Sequence, residues 1–196
     1  SSAPPRVSAE SVIQDAERAL DGEVRFFSNK YRCVGNPPDW FLDPFSGRRA
    51  QDVEGHWSRI GDFDLDVTDI KVIWECSRWE WATLFARAYR LTNDTRYLDA
   101  LNDWSADWMA KNPVNRGPNW KCGQEAGIRL MNALLATHIL GSCPTETLKF
   151  FVTRHCERIV PTRHYAIAQR NNHSISEASA LFIGGGWLAS HSNEDE

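Results

Sequence analysis

The sequence predicts a mainly α fold. Antiparallel helical hairpins stand side by side, behind an irregular N-terminal region with at most short strands. Three observations predict it. From about residue 71 onward, apolar residues recur at helical spacing in one segment after another. Short turns carrying Gly, Pro, Asn or Asp join these segments, and helices joined by short links pack antiparallel. Residues 23–70 differ, with short apolar pieces broken by Gly, Pro and Asp. No fixed-period repeat is present, so the familiar solenoids are not indicated. Such hairpins can form an arc or a ring, but a closed ring needs more helices than this chain offers.

The elements follow in order. Residues 1–6 read as a Pro-containing arm, and Ser8 as the N-cap of a helix over 9–20, which Gly22 ends. Glu23 to Phe27 and Trp57 to Ile60 are expected as short strands, with the Gly- and Pro-rich loop 35–47 between them. One helix is expected from about 71 to Leu91, carrying Trp74, Arg78, Trp81, Phe85 and Ala88 at helical spacing. Asp94 is the expected N-cap of the next, which runs to about Lys111 and stops at Asn112-Pro113. Further helices are expected from about Trp120 to Leu140, from Pro144-Thr145 to about Ile159, and from Ser174 to Trp187. The acidic tail runs from Asn193 to Glu196. The chain divides into a region 1–68, with the first helix and the irregular loops, and a helical-hairpin region 69–196.

Composition narrows the function classes. With 196 residues, 42% hydrophobic, nine Trp and nine Phe, the chain can bury a core and is not disordered. A net charge of −4 argues against a nucleic-acid binder. No run of about 18 apolar residues is present, so no membrane span is expected. The five cysteines at 33, 76, 122, 143 and 156 show no C-x-x-C pair, which leaves a zinc site or redox dithiol weakly supported. Asp62, Asp64 and Asp66 resemble the start of a calcium loop. Val67 stands where the turn Gly belongs and Ile73 where the bidentate Glu belongs, so a solvated acidic loop is the better reading. Neither a metal nor a cofactor is expected.

Three segments mix polar residues with Trp: 69–78, with Trp74, Glu75 and Arg78; 119–129, with Asn119, Trp120, Glu125 and Arg129; and 170–177, with Asn171, Asn172, His173 and Glu177. Each lies at the start of a predicted helix. Hairpins stacked in register would gather these starts on one rim, where helix dipoles suit an anionic ligand. The plainer readings stand beside this one. Glu75–Arg78 and Glu125–Arg129 have the spacing of ordinary surface pairs. Ser174 to Glu177 reads as a capping box. Trp104 and Trp108 read as core, while Trp74 and Trp120 adjoin polar clusters as sugar-contacting aromatics do.

Taken together, the stretches DIKVIWECSRW (69–79), LFARAYRLTNDTRYLDA (84–100), DWMAKNP (107–113), GPNWKCGQEAGIRLMNALLA (117–136) and NNHSISEASALF (171–182) resemble the heparinase II/III and alginate lyase group of polysaccharide lyases. The resemblance implies an incomplete α/α toroid followed by a β-sandwich domain, an acidic polysaccharide or oligosaccharide as substrate, and β-elimination as the reaction. It assigns Asn172 to neutralise the uronate carboxylate and His173 to assist as base or second neutraliser. Asn171, Trp74, Glu75, Arg78, Asn119, Trp120, Glu125 and Arg129 are placed in the cleft by position. In that family a catalytic Tyr follows the Asn-Asn-His segment and a His comes from the β-sandwich. Here Tyr165 precedes the motif and is read as structural. The resemblance therefore implies the N-terminal part of a longer, periplasmic or secreted lyase, inactive alone.

Two other readings come from different classes. One is a non-catalytic acidic-glycan-binding or assembly module. The other is a glycosidase using two of Glu75, Glu125 and Glu177, which requires carboxyls about 5–10 Å apart across one cleft.

Overall fold

The computed structural model describes residues 8–51, 53–61 and 69–191. The arm at 1–6, the acidic loop at 62–66 and the acidic tail lie outside the described residues.

Ser8 opens the first helix, α1 (Ala9–Leu20), by accepting the Ser11 N–H at 3.0 Å, as the sequence predicts. Gly22, at φ +84°, turns the chain into a hairpin of β1 (Glu23–Phe26) and β2 (Lys30–Cys33), with Glu23 opposite Cys33 and Phe26 opposite Lys30. The first expected strand is therefore present and pairs with β2, a strand the sequence reading does not include. Lys30-Tyr31-Arg32-Cys33 is short and largely polar, so it carries little apolar signal. Trp57–Arg59 is instead a single 3-10 turn, with His56 Nδ1 accepting the Ser58 N–H.

The single helix expected over 71–91 is two helices, α2 (Ile70–Cys76) and α3 (Glu80–Thr92). Between them Trp79 takes a left-handed conformation at φ +63°, unusual for a bulky residue. Tertiary hydrogen bonds account for the break. Three successive carbonyls are taken by side chains: Cys76 O by Trp81 Nε1 at 3.1 Å, Ser77 O by Arg129 Nη1 at 3.0 Å, and Arg78 O by Asn132 Nδ2 at 2.8 Å. The Trp79 ring packs against Trp81, Trp108 and Phe151 at centroid distances of 5.1, 5.7 and 4.6 Å. Burial of that ring offsets the backbone strain.

The remaining helices are α4 (Arg96–Lys111), α5 (Gly123–Leu140), α6 (Glu146–Ile159), α7 (Arg163–Ala168) and α8 (His173–Ser190). Asp94 accepts the Arg96 N–H at the start of α4, and Thr145 accepts the Leu148 N–H at the start of α6. Residues 118–120 form a 3-10 turn before α5, so that helix starts three residues later than expected. The six-residue α7 has too few turns to show a period. The expected capping box at 174–177 is not formed. Asn171 Oδ1 accepts the His173 N–H, the helix begins there, and Ser174 Oγ turns back to Asn171 O.

Packing follows a regular plan. α1, α3, α5 and α8 neighbour one another in series; α4 packs on α3, and α6 packs on both α5 and α8. The core between them is aromatic, centred on Trp40, Trp81, Trp104, Phe85 and Trp108, all essentially without solvent contact. The reading of Trp104 and Trp108 as core holds. α5 and α8 run in the same sense, with Gly123 against Glu177 and Gly127 against Ala180, and the break before α3 is held to the head of α5 by Arg78 and Glu125. This is the mainly α architecture of an incomplete toroid, and among the described residues the one sheet is the two-stranded N-terminal hairpin.

Candidate functional site

The rim where α3, α5 and α8 begin is assembled by charge. Arg78 sits in the break before α3. Its Nε and Nη2 donate to Glu125 Oε2 and Oε1 in the first turn of α5, at 2.7 and 2.9 Å, and its Nη1 donates to Glu75 Oε1. Glu75 Oε2 in turn accepts the Phe27 N–H at 2.9 Å and so fastens the β-hairpin. Burial opposes the charge on Arg78, but the two carboxylates outweigh it and raise its pKa above the ordinary range. Glu75 lies in the last turn of α2, and Arg78 lies two residues before α3.

Arg129 does not pair with Glu125, which replaces the expected surface pair. It is 1% exposed. It stacks over Trp108 at 4.4 Å and donates to Ser77 O, Asn119 O and His155 Nε2. Because Arg129 Nε can only donate, His155 Nε2 carries the lone pair and Nδ1 carries the proton, given to Phe151 O at 2.7 Å. Burial pulls Arg129 down to about 9, and burial with the neighbouring Arg129 pushes His155 well below its usual range. Asn119 is fully buried and donates to Asn112 Oδ1 and Trp40 O. Asn119, Trp120 and Arg129 thus stand behind the rim, not on an open surface.

Beside the Arg78–Glu125 clamp, between the starts of α5 and α8, lies an open cleft of about 180 Å³. Trp57, Trp74 and Tyr165 line it, and His173 and Glu177 reach it from α8. Trp74 is half-buried, its Nε1 donating to Pro118 O at 2.9 Å. Asn172 is exposed, and its side-chain amide caps nothing and has no hydrogen-bond partner among the described residues. Asn171, also exposed, accepts the His173 N–H and sets the helix start.

Sequence reasoning missed three contributors. Arg158 donates to Trp120 O and Lys121 O at 2.7 and 2.6 Å and stacks over Trp57 at 3.6 Å. Burial pulls its pKa down to about 10. Trp57 was expected in a strand. Tyr165, which the sequence places in a structural role, is 68% exposed and lines the cleft. The one available signal was the density of Arg, His and Tyr over residues 154–165.

A row of packed helices with a polar and aromatic cleft between the starts of α5 and α8 defines the class, an incomplete helical toroid. The model of the Heparinase II/III N-terminus family matches residues 5–190, and the chain belongs to that family. Among solved structures the chain is similar to a heparan sulfate lyase HepC mutant from Pedobacter heparinus, with a TM-score of 0.61 and 18% identity over 93% of this chain and 26% of that one. The chain therefore spans about a quarter of the length of that lyase, and the likeness extends to the fold. No curated protein matches. No described helix is long and apolar enough to cross a membrane.

Proposed function

We propose that this chain carries the carboxylate-recognising side of a polysaccharide lyase that cleaves uronate-containing glycans by β-elimination. The observation that carries the reading is the exposed amide of Asn172, without a hydrogen-bond partner among the described residues, one residue before His173, which lines the aromatic cleft. A hydrogen beside an ionised carboxylate is hardly acidic until that charge is offset. The Asn172 amide hydrogen-bonds the uronate carboxylate. His173 takes H5, the C5 electron pair forms the C4–C5 double bond, and the C4–O4 bond breaks with a proton delivered to O4. Trp74 and Trp57 offer their faces to the sugar rings.

The donor of the O4 proton is proposed to lie in a further part of a longer polypeptide that includes a β-sandwich domain, leaving this chain inactive alone. A periplasmic or secreted location fits an enzyme acting on such polymers. The solved neighbour is named a heparan sulfate lyase, which supports an acidic glycan as the substrate class. The glycosidase reading loses two of its three carboxyls, because Glu75 and Glu125 are both engaged by Arg78.

The test compares this chain and a longer polypeptide on heparan, alginate and capsular uronate polymers, following the absorbance of unsaturated uronate. The longer form should produce it, and its Asn172→Ala variant should not. Salt-sensitive binding by both forms without unsaturated product would replace the lyase reading with a glycan-binding module.

A further inference from the structure

The head of α8 holds a buried carboxyl that the reaction above leaves unused. Glu177 is 5% exposed, and its Oε2 has no hydrogen-bond partner. Its Oε1 lies 3.8 Å from Nδ1 of His173, one helical turn earlier. A four-residue step sets the two side chains on one face of the helix. The facing helix makes room for the carboxyl: a Cβ on Gly123 of α5 would stand 2.8 Å from Glu177 Oε1 and 2.9 Å from its Cδ. A buried oxygen without a partner costs stability. Its place against an imidazole at the mouth of a cleft gives that cost a function.

We infer that Glu177 is a positioning residue for His173, turning Nδ1 toward the carboxyl and leaving Nε2 to the cleft. The inference rests on the reading of His173 as the base. A carboxylate attracts an N–H and repels a lone pair, so it favours the tautomer protonated on Nδ1. Nε2 then keeps the lone pair that takes H5, and the imidazolium formed lies beside a negative charge. The other charged and titratable groups around Glu177 among the described residues are Arg158 from α6, Tyr165 from α7, and Lys121 and Cys122 just before α5. Arg158 spends its guanidinium on Trp120 O, Lys121 O and the Trp57 face, so it favours the carboxylate without binding it. Burial acts in the opposite direction and raises the Glu177 pKa.

The experiment reads the His173 tautomer in the intact chain from its ring nitrogen-15 shifts, at about pH 8 where free imidazole is neutral. The same spectrum is taken for Glu177→Met, with helical circular dichroism as the folding control. The unmodified protein should show mainly the Nδ1–H form, and Glu177→Met should shift the majority to Nε2–H. An Nε2–H majority in the unmodified protein overturns the inference, and so does an unchanged tautomer in the variant. Should Glu177→Met fail to fold, the spectrum of the unmodified protein decides alone. The readout needs no elimination activity. A protein that shows the Nδ1–H form but never yields unsaturated uronate in its longer form sinks the lyase reading and leaves the pairing intact.

Discussion

Arg78 grips both oxygens of Glu125, at 2.7 and 2.9 Å, and so locks the break between α2 and α3 onto the first turn of α5. The pair is largely buried, with side-chain exposures of 23% and 6%. Removing Glu125 leaves Arg78 with Glu75 as its remaining carboxylate, so the loss should fall below the ~3–5 kcal/mol of a fully unpaired buried charge and near the ~1.5–3 kcal/mol of hydrogen bonds to a charged group. Glu125→Ala should lower the unfolding free energy by that amount, read as a lower urea midpoint with an unchanged slope. A loss of under about 1 kcal/mol would class the pair with ordinary surface bridges.

His155 makes stability depend on pH. Its folded pKa is depressed by burial and by Arg129, so the unfolded chain binds a proton there that the folded chain refuses. Stability from this group is therefore complete above the unfolded value of about 6.5 and is lost as the pH falls below it, by at most about 1.4 kcal/mol per pH unit. His155→Gln should be less stable than the unmodified protein at neutral pH, with the gap narrowing toward about pH 5. Chemical denaturation of both proteins across that range checks it. A gap constant with pH contradicts the neutral, doubly hydrogen-bonded imidazole.

Gly123 and Glu177 should act as one unit. Gly123→Ala drives a methyl into the Glu177 carboxyl and should cost about 1–3 kcal/mol, as overpacked sites do. In Gly123→Ala/Glu177→Ala the carboxyl is gone and most of that cost should vanish. A double-mutant cycle measures the coupling, and additive effects contradict the contact.

Glu177→Gln should raise stability at neutral pH. Burial raises the folded pKa of this carboxyl, so its contribution is greatest below the unfolded value of about 4.3 and is lost as the pH rises through the folded value. A neutral amide removes that loss. Thermal melts near pH 7 check the sign, and a lower Tm contradicts it.

Much of the architecture was legible because it is local. Ser8 and Thr145 cap the helices they precede, Gly141 ends α5 in the left-handed conformation at φ +66°, and the apolar spacing marks the helical segments after residue 95. The break at residues 77–79 was not legible, since the apolar period of Trp74, Trp81 and Phe85 runs straight across it. What opens the helix comes from elsewhere in the chain: Arg129, Asn132 and the Trp81 indole take the freed carbonyls. For the same reason Glu125 was matched with Arg129, its neighbour by spacing, when its partner is Arg78, 47 residues away. His173 of the Asn-Asn-His motif lines the cleft, while Arg158 and Trp57 reach it through tertiary packing. The Ser174–Glu177 spacing suggested a cap, but Asn171 starts the helix earlier and frees Glu177 to face His173.

The central claim is tested most directly at Asn172, whose amide is exposed and caps nothing. Calorimetric titration of acidic uronate oligosaccharides into the unmodified chain and into Asn172→Ala isolates the carboxylate contact from the rest of the reaction. Asn172→Ala should leave stability within about 0.5 kcal/mol and weaken binding by about tenfold or more, the worth of a hydrogen bond to a charged group. Equal affinity of the two proteins for the same oligosaccharide would contradict the account.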